Sequence, residues 1–185
     1  MFSRSFRLTN LIPAWIDGEL TPFDKLAVHR QGLRHKAVSV FLLNGPRVLL
    51  QKRAETKYHT PGLWSNTCCT HPNWDEAPED CARRRLDDEL GITGVPVCFR
   101  QQVEYSADVG GCMTENEVVD IFVGTVPPDI KITPNPAEVS EIDWADLHDL
   151  AKATQRNPGK YTPWLGIYLS EHSHLIIADG AAGEN

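Results

Sequence analysis

Pro78-Glu-Asp-Cys-Ala-Arg-Arg-Arg-Leu-Asp-Asp-Glu-Leu-Gly-Ile92 is the stretch that decides the fold. Its pattern predicts a helix over Glu79–Leu90. Pro78 suits a first-turn position, Glu79 and Asp80 favour the positive helix end, and Gly91 stops the helix. Ala82, Arg85, Leu86, Glu89 and Leu90 fall on one stripe by i, i+3, i+4 and i+7 spacing. Arg85 and Glu89 therefore lie on or beside the buried face, where charges need partners. The plainest partnership is an intrahelical ion pair at the edge of the stripe.

Strands flank this helix on both sides. Leu11–Gly18 reads as a short strand ending in an Asp-Gly turn, and Lys36–Leu43 as a strong apolar strand. Asn44-Gly-Pro46 turns the chain into Arg47–Lys52. Phe23–Arg34 carries Lys25 and His29, four apart, before a break at Gly32. Beyond the helix, Val97–Tyr105 and Glu115–Val126 read as strands joined through a Gly110-Gly111 loop. Glu138–Trp144 reads as a further strand, Trp144–Ala153 as a helix, and Lys160–Glu171 as a final helix opened by Thr162-Pro-Trp164. This mixture predicts an α/β (α+β) sandwich with a mixed sheet flanked by helices. The expected organisation is a single domain over 11–175, an N-terminal extension over 1–10 and a frayed tail over 176–185.

The chain has 185 residues and a formal net charge of −7. That length suits one domain with a real core. The charge disfavours non-specific attraction to nucleic acid or to an anionic membrane surface. No apolar run approaches the roughly 20 residues needed to span a bilayer, and Met1–Arg7 lacks the apolar stretch of a secretory signal. The five cysteines, with Cys68 and Cys69 adjacent, do not look like a disulfide framework. A reducing, cytoplasmic setting is expected, with no nucleic-acid or membrane partner.

Chemistry concentrates in Thr60-Pro-Gly-Leu-Trp-Ser-Asn-Thr-Cys-Cys-Thr-His-Pro72 and Glu115-Asn-Glu117. Alternation places Glu115, Glu117, Val119 and Ile121 on one strand face. Two ionised carboxylates on an inward face repel each other, and a divalent cation removes that cost. At a solvated strand end the same pair means nothing. His29, His35 and His71 lie in segments flanking apolar strands. Imidazole with carboxylate suits zinc, manganese or iron rather than magnesium alone. His59, His148, His172 and His174 read as surface residues.

Cys69 is either a small core filler or a thiolate favoured by a metal and nearby bases. Cys68 is expected to point elsewhere, and Cys81, Cys98 and Cys112 to serve packing. Lys25, Arg53, Lys57 and Arg85 are solvated charges taken singly. Converging, they would clamp an anionic group such as a diphosphate. Trp164 either caps the core or offers its face to a cation, an interaction of about 2 kcal/mol or more in a dry pocket.

Together these motifs resemble the type I isopentenyl diphosphate isomerases, a branch of the Nudix superfamily. The resemblance rests on Leu33–Phe41, Pro61–Pro72, Arg84–Ile92, Tyr105, Thr114–Val118 and Thr162–Trp164, and spans Leu11 to Glu171. Thr70–Ile92 is similar to a worn Nudix box. Glu76 and Arg84 match it, Thr70 stands for a glycine, and Arg85 stands for a glutamate. Replacing that carboxylate by a cation argues against pyrophosphate hydrolysis and for binding the diphosphate intact.

The resemblance implies a divalent ion (manganese, magnesium or zinc) held by His29, His35, His71, Glu115 and Glu117. A second ion, Mg²⁺, would bridge Glu89 and the Cys69 carbonyl to the substrate diphosphate. Lys25, Arg53, Lys57 and Arg85 match substrate-contacting bases. Cys69 and Glu117 would move protons on opposite faces of isopentenyl diphosphate, with Tyr105 assisting Glu117 and Trp164 steadying the carbocation-like species. The protein is expected to work as a monomer or homodimer. The rival readings are a Nudix-type hydrolase and a non-catalytic prenyl-diphosphate or metal-binding module.

Overall fold

The computed structural model describes residues 10–177. The chain opens with strands β1 (Leu11–Ile16) and β2 (Glu19–Asp24), then helix α1 (Lys25–Gln31). β3 (His35–Asn44), β4 (Arg47–Arg53), β5 (Trp64–Ser65) and β6 (Cys68–Thr70) precede helix α2 (Pro78–Leu90). β7 (Cys98–Asp108), β8 (Thr114–Thr125) and β9 (Val139–Asp146) follow, then α3 (Leu147–Arg156), α4 (Pro163–Glu171) and α5 (Ser173–Ile177). Among the described residues the strands form one nine-stranded sheet, mixed in direction as the pattern predicted.

β3 organises that sheet. It runs parallel to β8 along nearly its whole length and pairs antiparallel with β1, β4 and β6 on its other edge. A strand covered on both faces must be apolar on both, and β3 is. Val38, Val40 and Leu42 pack with Leu86 and Leu90 of α2. Ala37, Phe41 and Leu43 pack on the opposite side with Leu150 of α3 and Leu165 and Tyr168 of α4. The sandwich is thus helix, sheet, helix.

α2 forms where its signals placed it. Pro78 starts it, and Gly91, at φ 62°, ends it with its amide on the Asp87 and Leu86 carbonyls. Ala82, Leu86, Glu89 and Leu90 are buried, and Cys81 joins them. Burying Leu86 and Leu90 stabilises the fold by roughly 1.5–3 kcal/mol each.

Several boundaries differ from expectation. Phe23–Arg34 divides into the end of β2 and α1, which Asp24 caps by accepting a hydrogen bond from the Ala27 amide. β2 contains Pro22 and survives because it lies at the sheet edge. Trp144 belongs to β9, and the helix after it starts at Leu147 behind the Asp146 cap. Lys160 closes a separate 3-10 turn, and α4 begins only at Pro163. Cys81 packs as expected, but Cys98 and Cys112 are exposed. The expected tail over 176–185 begins too early, because Ile176 and Ile177 end α5 and Ile176 is buried in the core. Its remainder over 178–185, and residues 1–9 of the expected extension over 1–10, lie outside the described residues.

Candidate active site

Strand register assembles the site. Tyr105 of β7 pairs with Glu117 of β8, which pairs in turn with His35 of β3. On the other edge of β3, Ser39 pairs with Cys69 of β6. The four side chains that carry chemistry share the sheet face that α4 covers, because same-face neighbours across a sheet come together. Cys68 points to the other face and packs in the α2 core, as alternation requires.

His29, His35, His71 and Glu115 are buried, each offering one ligand atom, all within 4.8 Å of one another. His29 Nδ1 lies 2.6 Å from the Lys25 carbonyl and His35 Nδ1 lies 2.7 Å from the Leu33 carbonyl. A carbonyl only accepts, so both Nδ1 atoms carry the hydrogen and both Nε2 lone pairs turn inward. Glu115 Oε2 sits 3.1 Å and 3.3 Å from those two Nε2 atoms. It has no hydrogen bond of good geometry, so it is an orphaned buried oxygen. Imidazole lone pairs and a carboxylate oxygen facing one point form a donor set that fits a divalent cation.

Glu117 adjoins this cluster. Its Oε1 is 3.0 Å from His71 Nε2, and its Oε2 accepts a 2.5 Å hydrogen bond from the Tyr105 hydroxyl. Burial opposes charge on the imidazoles, yet the Glu115 and Glu117 carboxylates raise the His35 pKa to about 9, and a cation bound at its Nε2 would displace the proton they favour there. Burial and then the Lys25 charge lower that of His71 to about 4. Burial alone would raise the Glu115 carboxyl, but the imidazoles of His29, His35, His59 and His71 hold it well below its usual range.

Cys69 is half-buried, its sulfur 3.2 Å from Ser39 Oγ and 3.3 Å from Asn66 Oδ1. Asn66 is locked in turn by the Val40 and Cys68 carbonyls and by Ser39 Oγ. Burial and the Glu117 charge push the Cys69 pKa far up, against those hydrogen bonds. Of the two readings of Cys69, burial disfavours the thiolate, since removing the sulfur from water outweighs the nearby cations.

Cys69, Tyr105, Glu115, Glu117 and Trp164 line one cavity of about 40 Å³, with Lys25, Arg53, Lys57 and Arg85 also in its wall. Lys25, Lys57 and Arg85 are shared with an outer cavity of about 350 Å³. The four scattered bases therefore converge. Arg53 is buried, its guanidinium donating to the His59 and Thr60 carbonyls and lying 5.3 Å from the Trp164 ring centroid. Lys57 pairs with Glu138. Burial, partly offset by Glu115, lowers the Lys25 pKa to about 8. Trp164 is also a core residue, its indole N–H donating to Ser65 Oγ at 3.0 Å.

The NUDIX domain family model matches residues 33–165. Over 170 residues the chain is 58% identical to Isopentenyl-diphosphate Delta-isomerase of Dinoroseobacter shibae, covering 92% of this chain and 97% of that protein. The chain belongs to the isopentenyl-diphosphate Delta-isomerase family. The Cereibacter sphaeroides (strain ATCC 17025) isopentenyl-diphosphate Delta-isomerase is 57% identical over 170 residues, 92% of this chain and 96% of that one. Among solved structures, DR0079 from Deinococcus radiodurans superposes with a TM-score of 0.69 at 15% identity, covering 86% of this chain and 96% of that one. RenU, a Nudix hydrolase from M. smegmatis, gives 0.61 at 17% identity over 96% and 99% of the two chains. These two likenesses concern the Nudix fold alone.

Two expectations about this isomerase-family site need correction or completion. His59, read as a surface residue, is buried, with its Nε2 3.0 Å from Glu115 Oε1. It sits in an aperiodic loop, so no spacing rule pointed inward. Glu89 is buried on α2, its oxygens taken by Gln51 at 2.8 Å and Arg85 at 2.5 Å. The intrahelical pair is real, and a second ion there would compete with Arg85.

Proposed function

We propose that the chain interconverts isopentenyl diphosphate and dimethylallyl diphosphate through a 1,3-allylic proton shift. The observation that carries this reading is one cavity lined by Cys69, Glu117 and Trp164 beside the buried imidazole cluster. The family relationship and the cation at Arg85, where a hydrolase box carries a carboxylate, support it.

His29, His35, His71, Glu115 and Glu117 would hold a divalent ion, manganese, magnesium or zinc. When bound, that ion supplies positive charge that offsets the repulsion between the two carboxylates. The diphosphate, entering with Mg²⁺, meets Lys25, Arg53, Lys57 and Arg85, whose charges bind and orient it. Glu89 and the Cys69 carbonyl would help place that second ion, with Arg85 competing for Glu89.

An unactivated alkene is a very weak base, so alignment decides the rate. The Cys69 thiol gives its proton to the terminal alkene carbon and is left as thiolate, while Glu117 removes a proton from C2. Tyr105, donating to Glu117 Oε2, fixes the orientation of the carboxylate, whose Oε1 faces the imidazole cluster. The Trp164 face steadies the tertiary cation as it forms, and exclusion of water limits its capture. Exchange with solvent returns both groups to their starting protonation.

Incubation of the purified protein with isopentenyl diphosphate and Mg²⁺ tests the reading. Dimethylallyl diphosphate should form without phosphate release, and a chelator should stop the reaction until divalent ion is restored. Phosphate without isomer would make the protein a hydrolase, and full activity after metal removal would refute the ion site.

A further inference from the structure

We propose that His59 is a positioning residue that pins one oxygen of Glu115 and so leaves only the other directed at the ion site. This inference rests on the proposed metal centre and assigns a role outside its ligand set. His59 lies in the loop between β4 and β5 and is 5% exposed. Its Nε2 is 3.0 Å from Glu115 Oε1, and its Nδ1 is 3.0 Å from the Thr60 hydroxyl.

A carboxylate oxygen only accepts, so the hydrogen sits on His59 Nε2 and the Thr60 hydroxyl donates to Nδ1. This is the reverse of His29 and His35, whose Nδ1 atoms donate to backbone carbonyls and whose Nε2 atoms turn toward Glu115 Oε2. His59 thus faces the same carboxylate as a donor, while they face its Oε2 as ligands. The carboxylate is divided between the two tasks.

The loop is built to hold this arrangement. Thr60 adopts φ 46°, a left-handed conformation that a β-branched residue rarely takes. Strain of this kind costs of order 1–3 kcal/mol and persists only where surroundings enforce it. Here the buried Arg53 guanidinium does so by holding the His59 and Thr60 carbonyls at 3.1 Å and 3.2 Å. The same cation that lines the diphosphate end therefore sets the loop whose imidazole orients the metal carboxylate.

The test compares His59→Leu, which fills the space without a donor, with His59→Gln, whose amide N–H reaches to the same place. Mn²⁺ affinity is measured on the purified full chain by competition with a chromophoric chelator, alongside unfolding midpoint, kcat and KM. Outer partners of metal ligands are worth about 10–100-fold in affinity. His59→Leu should lose Mn²⁺ affinity in that range and lower kcat, with KM for isopentenyl diphosphate unchanged at saturating ion. His59→Gln should stay close to the unsubstituted protein. Should His59→Leu fail to fold, Thr60→Val, which removes the hydroxyl fixing the tautomer, is expected to weaken Mn²⁺ binding in the same direction.

Unchanged affinity in His59→Leu, or in Thr60→Val where that stands in, overturns the proposal. So does a His59→Gln protein as weak as His59→Leu, which would make the imidazole a ligand or mere packing. An unsubstituted protein that binds no Mn²⁺ would sink the metal centre itself along with this inference, whereas binding that ignores His59 sinks only the latter.

Discussion

Replacing Arg85 by alanine should damage stability and substrate binding through separable routes. The guanidinium lies 2.5 Å from Glu89 Oε1 and 3.5 Å from Glu138 Oε2. Glu89 is 2% exposed, and its other oxygen has only the neutral amide of Gln51. Arg85→Ala would leave that carboxylate buried without its cation. Breaking a buried pair this way costs about 3–5 kcal/mol. The Arg85 side chain is 18% exposed, and water entering its place favours the lower end, about 3 kcal/mol. In a chain of this size each kcal/mol moves the thermal midpoint by roughly 2–4 °C, so the fall should be about 6–12 °C. Adding Glu89→Gln removes the stranded charge and should restore most of the midpoint. It should not restore KM for isopentenyl diphosphate, because the diphosphate-facing cation is still missing. Thermal unfolding and steady-state kinetics on both variants decide the matter. A loss below about 1 kcal/mol in Arg85→Ala, well under the expected range, would refute the reasoning. A double variant that regains normal KM would remove Arg85 from the diphosphate site.

Glu76 accepts bonds from Arg84 at 2.6 Å and 2.7 Å and from the Asn73 amide at 2.7 Å. Partial burial works against its ionisation, but Arg84 and then Asn73 outweigh it and lower its pKa from 4.5. A carboxyl lowered on folding stabilises above its unfolded value and loses that contribution as pH falls through its folded value. The stability gap between the natural chain and Glu76→Gln, read from urea midpoints, should thus be full at pH 7 and close as pH falls below 4.5. A gap independent of pH would contradict this. At Gly124 an added Cβ would lie 2.8 Å from the Pro96 carbonyl oxygen and 2.9 Å from Leu42 Cδ2. Gly124→Ala should therefore destabilise by about 1–3 kcal/mol. An unchanged unfolding midpoint would show that the β8 backbone yields more easily than its neighbours suggest.

Much of the fold was readable because its elements carry local signals. α2 has a proline start, a glycine stop and a helical stripe, and β3 is an unbroken apolar run between turn residues. α1 has only seven residues and no clear stripe, so Lys25 and His29 were visible as a spacing and not as a helix. β2 hid behind Pro22, whose missing N–H an edge strand tolerates. Cys98 and Cys112 defied the burial preference of cysteine because one opens β7 and the other occupies a turn at φ 57°. At the site, Cys69, His71, Glu115 and Glu117 stood out by motif, and strand register then set Tyr105 against Glu117. His59 did not stand out, because its contact with Glu115 joins a loop to a distant strand. The upward pull on the Cys69 pKa was equally hidden, since it follows from burial in three dimensions.

The most direct measurement follows isopentenyl diphosphate by proton NMR in D₂O with Mg²⁺ present. A thiol and a carboxylate that exchange with solvent between turnovers must deliver deuterium. Dimethylallyl diphosphate should therefore appear with deuterium in one methyl group, and Cys69→Ala, folded by its unfolding midpoint, should form none. Label-free isomer, or undiminished turnover in Cys69→Ala, would contradict proton delivery from that sulfur.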